Sequence, residues 1–175
     1  MSRFYLHDDD GEYGLLQAET PQAVGNYRWT VQCVVLGEPK GQARIRVNFG
    51  RGTTYTPDLQ ERNLFRSVLR QELERNGVAT FPYFPPSTPI KVDITFFFKR
   101  PASHYVGNSP GRGLQADAAN FPSRPDIDNL GKFVLDAMTT IFYLDDDQVV
   151  ELTMKKEYLV STDAVSFTQI GLHGT

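Results

Sequence analysis

Two groups of carboxylates could do chemistry in this chain. Asp126 and Asp128 stand one residue apart, after a Pro-containing run and at the start of an apolar-periodic segment. Asp145, Asp146 and Asp147 stand together just beyond that segment. Carboxylates packed together repel and raise one another's pKa, and a divalent cation removes that cost. Oxygen-only ligands suit Mg²⁺ or Mn²⁺ rather than zinc. Such an ion lowers the pKa of an attacking water and stabilises charge on a phosphodiester in its transition state. Lys132 follows Asp128 by one helical turn on the same face, where it could steady a leaving oxygen or hold a phosphate. Asp136 is one turn further. Spacing alone leaves open whether the two groups meet, because the turn and the strand after it must fold over.

Each acid has a plainer reading. A single Asp at a helix start is more often a cap than a ligand. An acidic triplet in a turn is usually solvated surface, and Lys132 with Asp136 is an ordinary i,i+4 pair. Other motif readings fail on the residues. A calcium loop starting at Asp126 needs Asp or Asn at its fifth position and Glu at its twelfth, where this chain has Leu130 and Ala137. No Gly-rich strand-to-helix fingerprint precedes the motif, as a nucleotide-dependent glycosyltransferase would require. A phosphatase-type Asp-x-Asp would end an apolar strand, whereas this one follows a Pro-rich loop.

The elements that must position these acids can be read from periodicity. Residues 29–36 read as a Val-rich buried strand. The following stretch is punctuated by Gly and Pro and carries Lys40, Arg44, Arg46 and Arg51; Arg44 to Phe49 could be extended, but most of it reads as loop. Residues 58–76 predict a helix, with Leu59, Leu64, Phe65, Val68, Leu69 and Leu73 as its apolar stripe, Asp58 as N-cap and Gly77 as stop. Residues 90–99 alternate as a half-buried strand, with Ile90, Val92, Ile94, Phe96 and Phe98 on one face. Residues 100–125 break all periodicity, and a loop that long is either functional or disordered. Residues 128–140 predict a second helix whose core face is Leu130, Phe133, Val134, Ala137 and Met138. Residues 148–159 and 165–172 read as strands, the first with Val150, Leu152, Met154 and Tyr158 on one side. The order β-α-β-(long loop)-α-β-β predicts an α+β domain with two helices on a mixed sheet.

Bulk properties narrow the partners. The 175 residues suit one domain, read here as 28–175, after an acidic extension at 1–27 that reads as partly disordered. Net charge is −3, yet residues 31–132 hold fourteen basic and nine acidic residues, so a basic middle lies between acidic ends. That distribution offers phosphate-binding candidates in Lys40, Arg44, Arg46, Arg51 and Arg124. Cys33 is the single cysteine, which excludes an internal disulfide and a cysteine-built zinc site, and it reads as core. His104 reads as an exposed loop residue, and Tyr105 and Phe121 as loop aromatics that could insert at distorted DNA. No apolar run is long enough to span a bilayer and the N-terminus is no signal peptide, so an intracellular, soluble protein is expected.

One combination is specific. Arg124-Pro-Asp126-Ile-Asp128-Asn129-Leu130, then Lys132, then Leu144-Asp145-Asp146-x-Gln148-Val149-Val150, resembles the signature of the RusA family of Holliday junction resolvases. The family pairs an Asp-(Leu/Ile)-Asp-Asn-Leu-x-Lys element with a downstream Asp-Asp-x-Gln-Val element. Gly37 to Arg44 and Thr54 to Pro57 resemble its basic upstream segment, although Gln42 and Ala43 interrupt the basic run. The resemblance covers about residues 31–158 and implies a RusA-like fold. It implies a homodimer that cuts four-way DNA junctions in recombination and repair, using Mg²⁺ with Mn²⁺ as substitute. Asp126, Asp128 and Asp146 fall on the family's catalytic, metal-binding aspartates, with Asp145 or Asp147 as the one-residue alternatives to Asp146, and Lys132 falls on its functional lysine. Alternatives are a non-cleaving branched-DNA-binding module of the same fold, or a nuclease preferring flaps or forks.

Overall fold

The computed structural model describes residues 29–43, 46–48, 53–55 and 57–174. The acidic segment 1–27, Arg44 and Arg51 lie outside them, and for Arg46 only the backbone strand is described. A four-stranded sheet is built from β1 (Trp29–Leu36), β4 (Ile90–Phe98), β5 (Val149–Tyr158) and β6 (Phe167–Gly174), in the order β1-β6-β4-β5. β6 runs antiparallel to both β1 and β4, while β4 and β5 are parallel, so the sheet is mixed as expected. Two short strands, β2 (Arg46–Asn48) and β3 (Thr53–Tyr55), form a separate antiparallel pair where the sequence read mainly as loop. β2 lies within Arg44 to Phe49, the one part of the stretch that could be extended, where Ile45, Val47 and Phe49 alternate with polar residues, whereas Thr53–Tyr55 has no such pattern.

Two helices, α1 (Leu59–Arg75) and α2 (Ile127–Met138), complete the fold. α1 stops where Gly77 adopts φ 84°, and Gly77 and Val78 return their N–H groups to the carbonyls of Glu74 and Leu73, the pairing that closes a Gly-terminated helix. Phe65, Leu69 and Leu73 are its buried face. Leu59 and Leu64, expected in the stripe, are exposed, because the i, i+4, i+8 series starting at Phe65 faces the core and they fall outside that arc. α2 buries all five expected residues, together with Gly131. The helices meet through an edge-on contact of Phe65 and Phe133, with ring centroids 5.6 Å apart. Beneath them the sheet offers Ile90, Val92, Ile94, Phe96 and Phe98, all buried.

Arg66 on α1 clamps the end of α2. Its guanidinium donates to the carbonyls of Asp136, Ala137 and Thr139 and to the Thr140 hydroxyl. Those carbonyls are the ones a helix C-terminus leaves without partners, and a cation there also suits the helix dipole.

The long loop is folded. It holds three single-turn 3₁₀ segments and a backbone bridge between Tyr105 and Leu114. Arg100 anchors it, donating to Ala119 O at 2.7 Å and lying 4.3 Å over the Tyr158 ring. At the other side of the sheet's helix face, β5 departs from expectation. Leu152 shares a face with Met154 but is 39% exposed, and Val150 falls at a register shift, Val149 taking the place opposite Ile90, and is 69% exposed. β5 is an edge strand, and the cover given by α2 reaches it only near Met154, which packs on Gly131. Among the described residues no helix is long and apolar enough to cross a membrane.

Candidate functional site

The start of α2 presents its acids to solvent. Asp126 is the N-cap residue, in extended conformation, yet its carboxylate makes no capping hydrogen bond. Asp128 sits in the first turn, 63% exposed, with Lys132 Nζ 3.6 Å from its carboxylate. That pair is exposed on both sides, so it contributes little to stability and is easily exchanged for another partner. The plain capping reading therefore does not account for Asp126. The segment leading in is fixed from below: Lys156 on β5 donates to Pro125 O at 2.8 Å and to Ser123 O at 3.2 Å.

The upstream basic segment lies against this helix end. Gln42 N–H donates to Asn129 O at 2.9 Å, and a Cβ at Gly41 would stand 3.2 Å from Pro125 Cβ. Glycine thus allows the close approach. Lys40, exposed, precedes Gly41 and lines a hollow with Pro57, Asp58 and Glu61, and Arg124 is exposed just ahead of Asp126. Gln42, which read as an interruption of the basic run, is a latch: its amide also donates to Asp136 at 2.8 Å. Arg62 holds the same carboxylate at 2.9 Å. Asp136 is thereby engaged in holding α1 and the upstream segment on α2.

The second acidic group occupies the turn before β5. Asp145, Asp146 and Asp147 are all exposed, with a 3₁₀ turn over Asp146–Gln148. Gln148 is buried and fixes this turn. Its carbonyl oxygen accepts from Leu144 N–H at 2.9 Å, and its amide donates to Pro85 O at 3.1 Å and Thr88 O at 3.2 Å. The Asp146 carboxyl is held above its ordinary pKa, first by the hydrogen bond it shares with the Asp145 side chain, then by desolvation and by the charges of Asp145 and, more weakly, Asp136. Carboxyl groups set side by side in this way are a donor set that a hard divalent cation fits.

The two acidic groups do not converge within one chain. Lys156, at the far half of β5, touches the entry to α2, whereas Val149, at the start of β5, pairs with Ile90 at the start of β4. α2 and β5 therefore run in opposite directions. Asp126 and Asp128 stand at one end of α2, and Asp146 stands near its other end, within reach of the Asp136 charge. A helix of 12 residues is about 18 Å long. Among the described residues, no three Asp, Glu, His or Cys side chains gather to hold a metal.

Several sequence readings change in detail. Tyr105, a candidate for insertion into DNA, is 7% exposed and cannot reach out; the bridge to Leu114 turns it inward. Phe121 is 65% exposed. His104 is half-buried, its ring edge-on to Tyr158. Cys33 is core, its thiol pushed up to about 12 by burial and, less, by Glu72. The positioning roles of Gln148, Lys156 and Gln42 were not read from the sequence. Only Gln148 carried a signal, as part of the downstream motif.

Comparison with known proteins places residues 37–164 in a match to the family model described as endodeoxyribonuclease RusA. The chain is also 29% identical over 130 residues to "Uncharacterized protein YqaN" of Bacillus subtilis (strain 168), covering 73% of this chain and 87% of that protein. The family match spans both acidic groups, Gln42 and Gln148.

Proposed function

The chain belongs to the RusA family of endodeoxyribonucleases, and from that premise we propose that it is a homodimeric, Mg²⁺-dependent nuclease that resolves four-way DNA junctions by paired cuts. The observation that carries this reading is the pair Asp126 and Asp128. Both are exposed at the start of α2, no capping hydrogen bond uses Asp126, Lys132 lies 3.6 Å from Asp128, and the exposed Arg124 precedes Asp126 by two residues.

Asp126, Asp128 and Asp146 would hold Mg²⁺, with Mn²⁺ able to substitute. The ion would supply Lewis-acid stabilisation of the phosphodiester and a more acidic water. The chain's own residues do the rest. Lys132 is exposed and weakly held, so it can exchange Asp128 for a DNA phosphate or a leaving oxygen. Lys40, Arg44, Arg46, Arg51 and Arg124 would bind backbone phosphates, a contact that orients DNA without reading sequence. Lys156 keeps the Ser123–Pro125 segment in place, so Asp126 is presented from a fixed backbone. Two paired cuts need two sites, and a two-fold dimer supplies them by symmetry.

The test is cleavage of a mobile and an immobile four-way junction with Mg²⁺, Mn²⁺ or EDTA, with linear duplex, flap and fork as comparison substrates. Metal-dependent paired nicks near the crossover support the reading. Binding without cutting under either metal replaces it with a non-cleaving binding module, and faster cutting of flaps or forks changes the substrate. With about six phosphate contacts, junction affinity should also fall about a thousandfold between 50 and 200 mM salt.

A further inference from the structure

We propose that Phe121 is a wedge: its ring stacks on a base pair laid open at the branch point of the DNA, and so makes the protein prefer branched to linear DNA. The inference rests on the DNA-nuclease reading above and names the residue that selects its substrate.

Three observations carry it. First, the ring stands in solvent. Phe121 is 65% exposed, and among the residues whose side chains are described it is the one exposed aromatic. Tyr105, from the same loop, is buried. Second, the backbone that carries the ring is held on both sides. Ala119 O accepts from Arg100 at 2.7 Å, and Ser123 O and Pro125 O accept from Lys156 at 3.2 and 2.8 Å. Pro122, next in the chain, is buried. Arg100 is itself fixed, its guanidinium 4.3 Å over the Tyr158 ring. A ring presented from a fixed backbone loses little freedom when it is covered. Third, the ring adjoins the acids. Five residues lead from Phe121 to Asp126, a span of at most about 18 Å. Consecutive bases along a strand are about 3.4 Å apart, so the ring works within about five base steps of Asp126.

The charge around the ring favours a nucleobase as its occupant. Lys99 to Pro125 holds four basic side chains and one acidic one, and Arg124, three residues after the ring, is exposed. Cations that take phosphates beside an aromatic that takes the face of a base are the combination that holds unpaired or parted strands. The same ring discriminates between substrates. In a continuous duplex every base is stacked on both sides, and a wedge must first part a step. At a branch point the pairs that end each arm can offer a face without that cost. The stacking gain is realised on branched DNA and offset on linear DNA.

The experiment measures binding in EDTA, where cutting does not intervene. The probes are an immobile four-way junction, with 2-aminopurine next to the crossover, and a linear duplex of the same arm sequence. 2-Aminopurine brightens when it is unstacked. The wild type should bind the junction more tightly than the duplex and brighten the probe. Phe121→Ala should bind the duplex within about twofold of wild type, bind the junction about tenfold more weakly, and leave the probe dark. Phe121→Trp should restore both junction affinity and brightening. The melting temperature of each variant should stay near that of the wild type, since the ring is exposed. Wild-type affinity and brightening in Phe121→Ala overturn the proposal, as does a wild type that binds junction and duplex alike. Equal weakening on both DNAs would make the ring a general contact, and a lower mass by sedimentation without DNA would make it a protein contact; either result also overturns it. Metal-dependent cutting that is indifferent to Phe121 removes the wedge and keeps the nuclease. Junction preference that is lost in Phe121→Ala, in a wild type that cuts under no metal, removes the nuclease and keeps the wedge.

Discussion

The two acidic regions that flank α2 are built on opposite principles. At its start, Asp126 and Asp128 are exposed and loosely held, and it is the backbone beneath them that is pinned, by Lys156 and by Gln42. At the turn beyond its end, the carboxyls of Asp145 and Asp146 crowd each other, and a buried amide, Gln148, forces the turn that crowds them. One region keeps its charges free for a ligand and benefits from the positive end of the helix dipole. The other sets carboxyls side by side, so that the Asp146 carboxyl is held above its ordinary pKa by its Asp145 neighbour. Asp-rich motifs are therefore not one kind of object. Position on the helix separates acids the fold tolerates easily from acids it holds together at a cost.

The strongest test of the contrast is to remove charge at the start of α2. Asp128→Asn should slow junction cutting by at least about a thousandfold, the scale of losing a charge-stabilising group. It should leave the melting temperature within a few degrees of wild type, because the Asp128–Lys132 ion pair is exposed on both sides. Junction binding by gel shift should persist. A variant that unfolds would show that Asp128 has a structural duty here, and the two regions would then no longer differ in kind.

At the other region the backbone clamp is the target. Gln148→Leu leaves the carbonyls of Pro85 and Thr88 and the N–H of Leu144 without this partner. Each buried polar group left unpaired costs about 1–3 kcal/mol, less where water enters. The variant should therefore lose about 2 kcal/mol in urea titration and, with the acid turn released, need more Mn²⁺ for half-maximal cutting. Normal stability together with normal metal dependence would show that the turn holds its shape without the amide.

How much of this was legible in the sequence depends on what kind of signal each part needs. The core face of α2 was legible because burial on a helix repeats with its period, and Leu130, Phe133, Val134, Ala137 and Met138 are all buried. β2 was partly legible, in the alternation of Ile45, Val47 and Phe49, but its partner β3 was not, because Thr53–Tyr55 is too short and polar to show a period. Leu152 was assigned to the correct side of β5, but its exposure depends on how far α2 extends over the edge, and no local pattern encodes that reach or the register shift that brings Val149 rather than Val150 opposite Ile90. The separation of the two acid groups was likewise hidden. It is fixed by the direction in which β5 returns beneath α2, set by the pairing of Val149 with Ile90 and by Lys156 reaching Pro125. Motif spacing gives the residues that can ligate a metal, not where the fold places each of them.

A weaker effect is expected where α1 holds the end of α2. Arg66→Ala removes the donor to three carbonyls and one hydroxyl. These groups are partly open to water, which replaces some of those hydrogen bonds, so the cost should be about 1 kcal/mol. Hydrogen exchange should quicken in the last turn of α2 and in residues 139–147, with little change at Asp126. Equal quickening at both ends would mean that α2 opens as one unit, and the contrast between its ends would hold only for charge.

The smallest effect bears directly on the crowded pair. Asp146 has a raised folded-state pKa, so the folded state favours its protonated form. The sign follows from linkage: that contribution is complete below the unfolded carboxylate pKa and is lost as pH rises through the folded value. Without metal, the wild type should therefore melt slightly lower above this range than within it. Asp145→Asn removes the largest cause of the shift, and the variant should be slightly more stable than wild type at neutral pH and equal to it in acid, by calorimetry without metal. Added Mg²⁺ should reverse the order at neutral pH, because the cation stabilises the two-carboxylate form more than the one-carboxylate form. If Asp145→Asn shifted the melting temperature equally at every pH, the two carboxyls would not be coupled in the folded chain. The turn would then be ordinary solvated surface, and the argument for a cation at Asp146 would lose its electrostatic half.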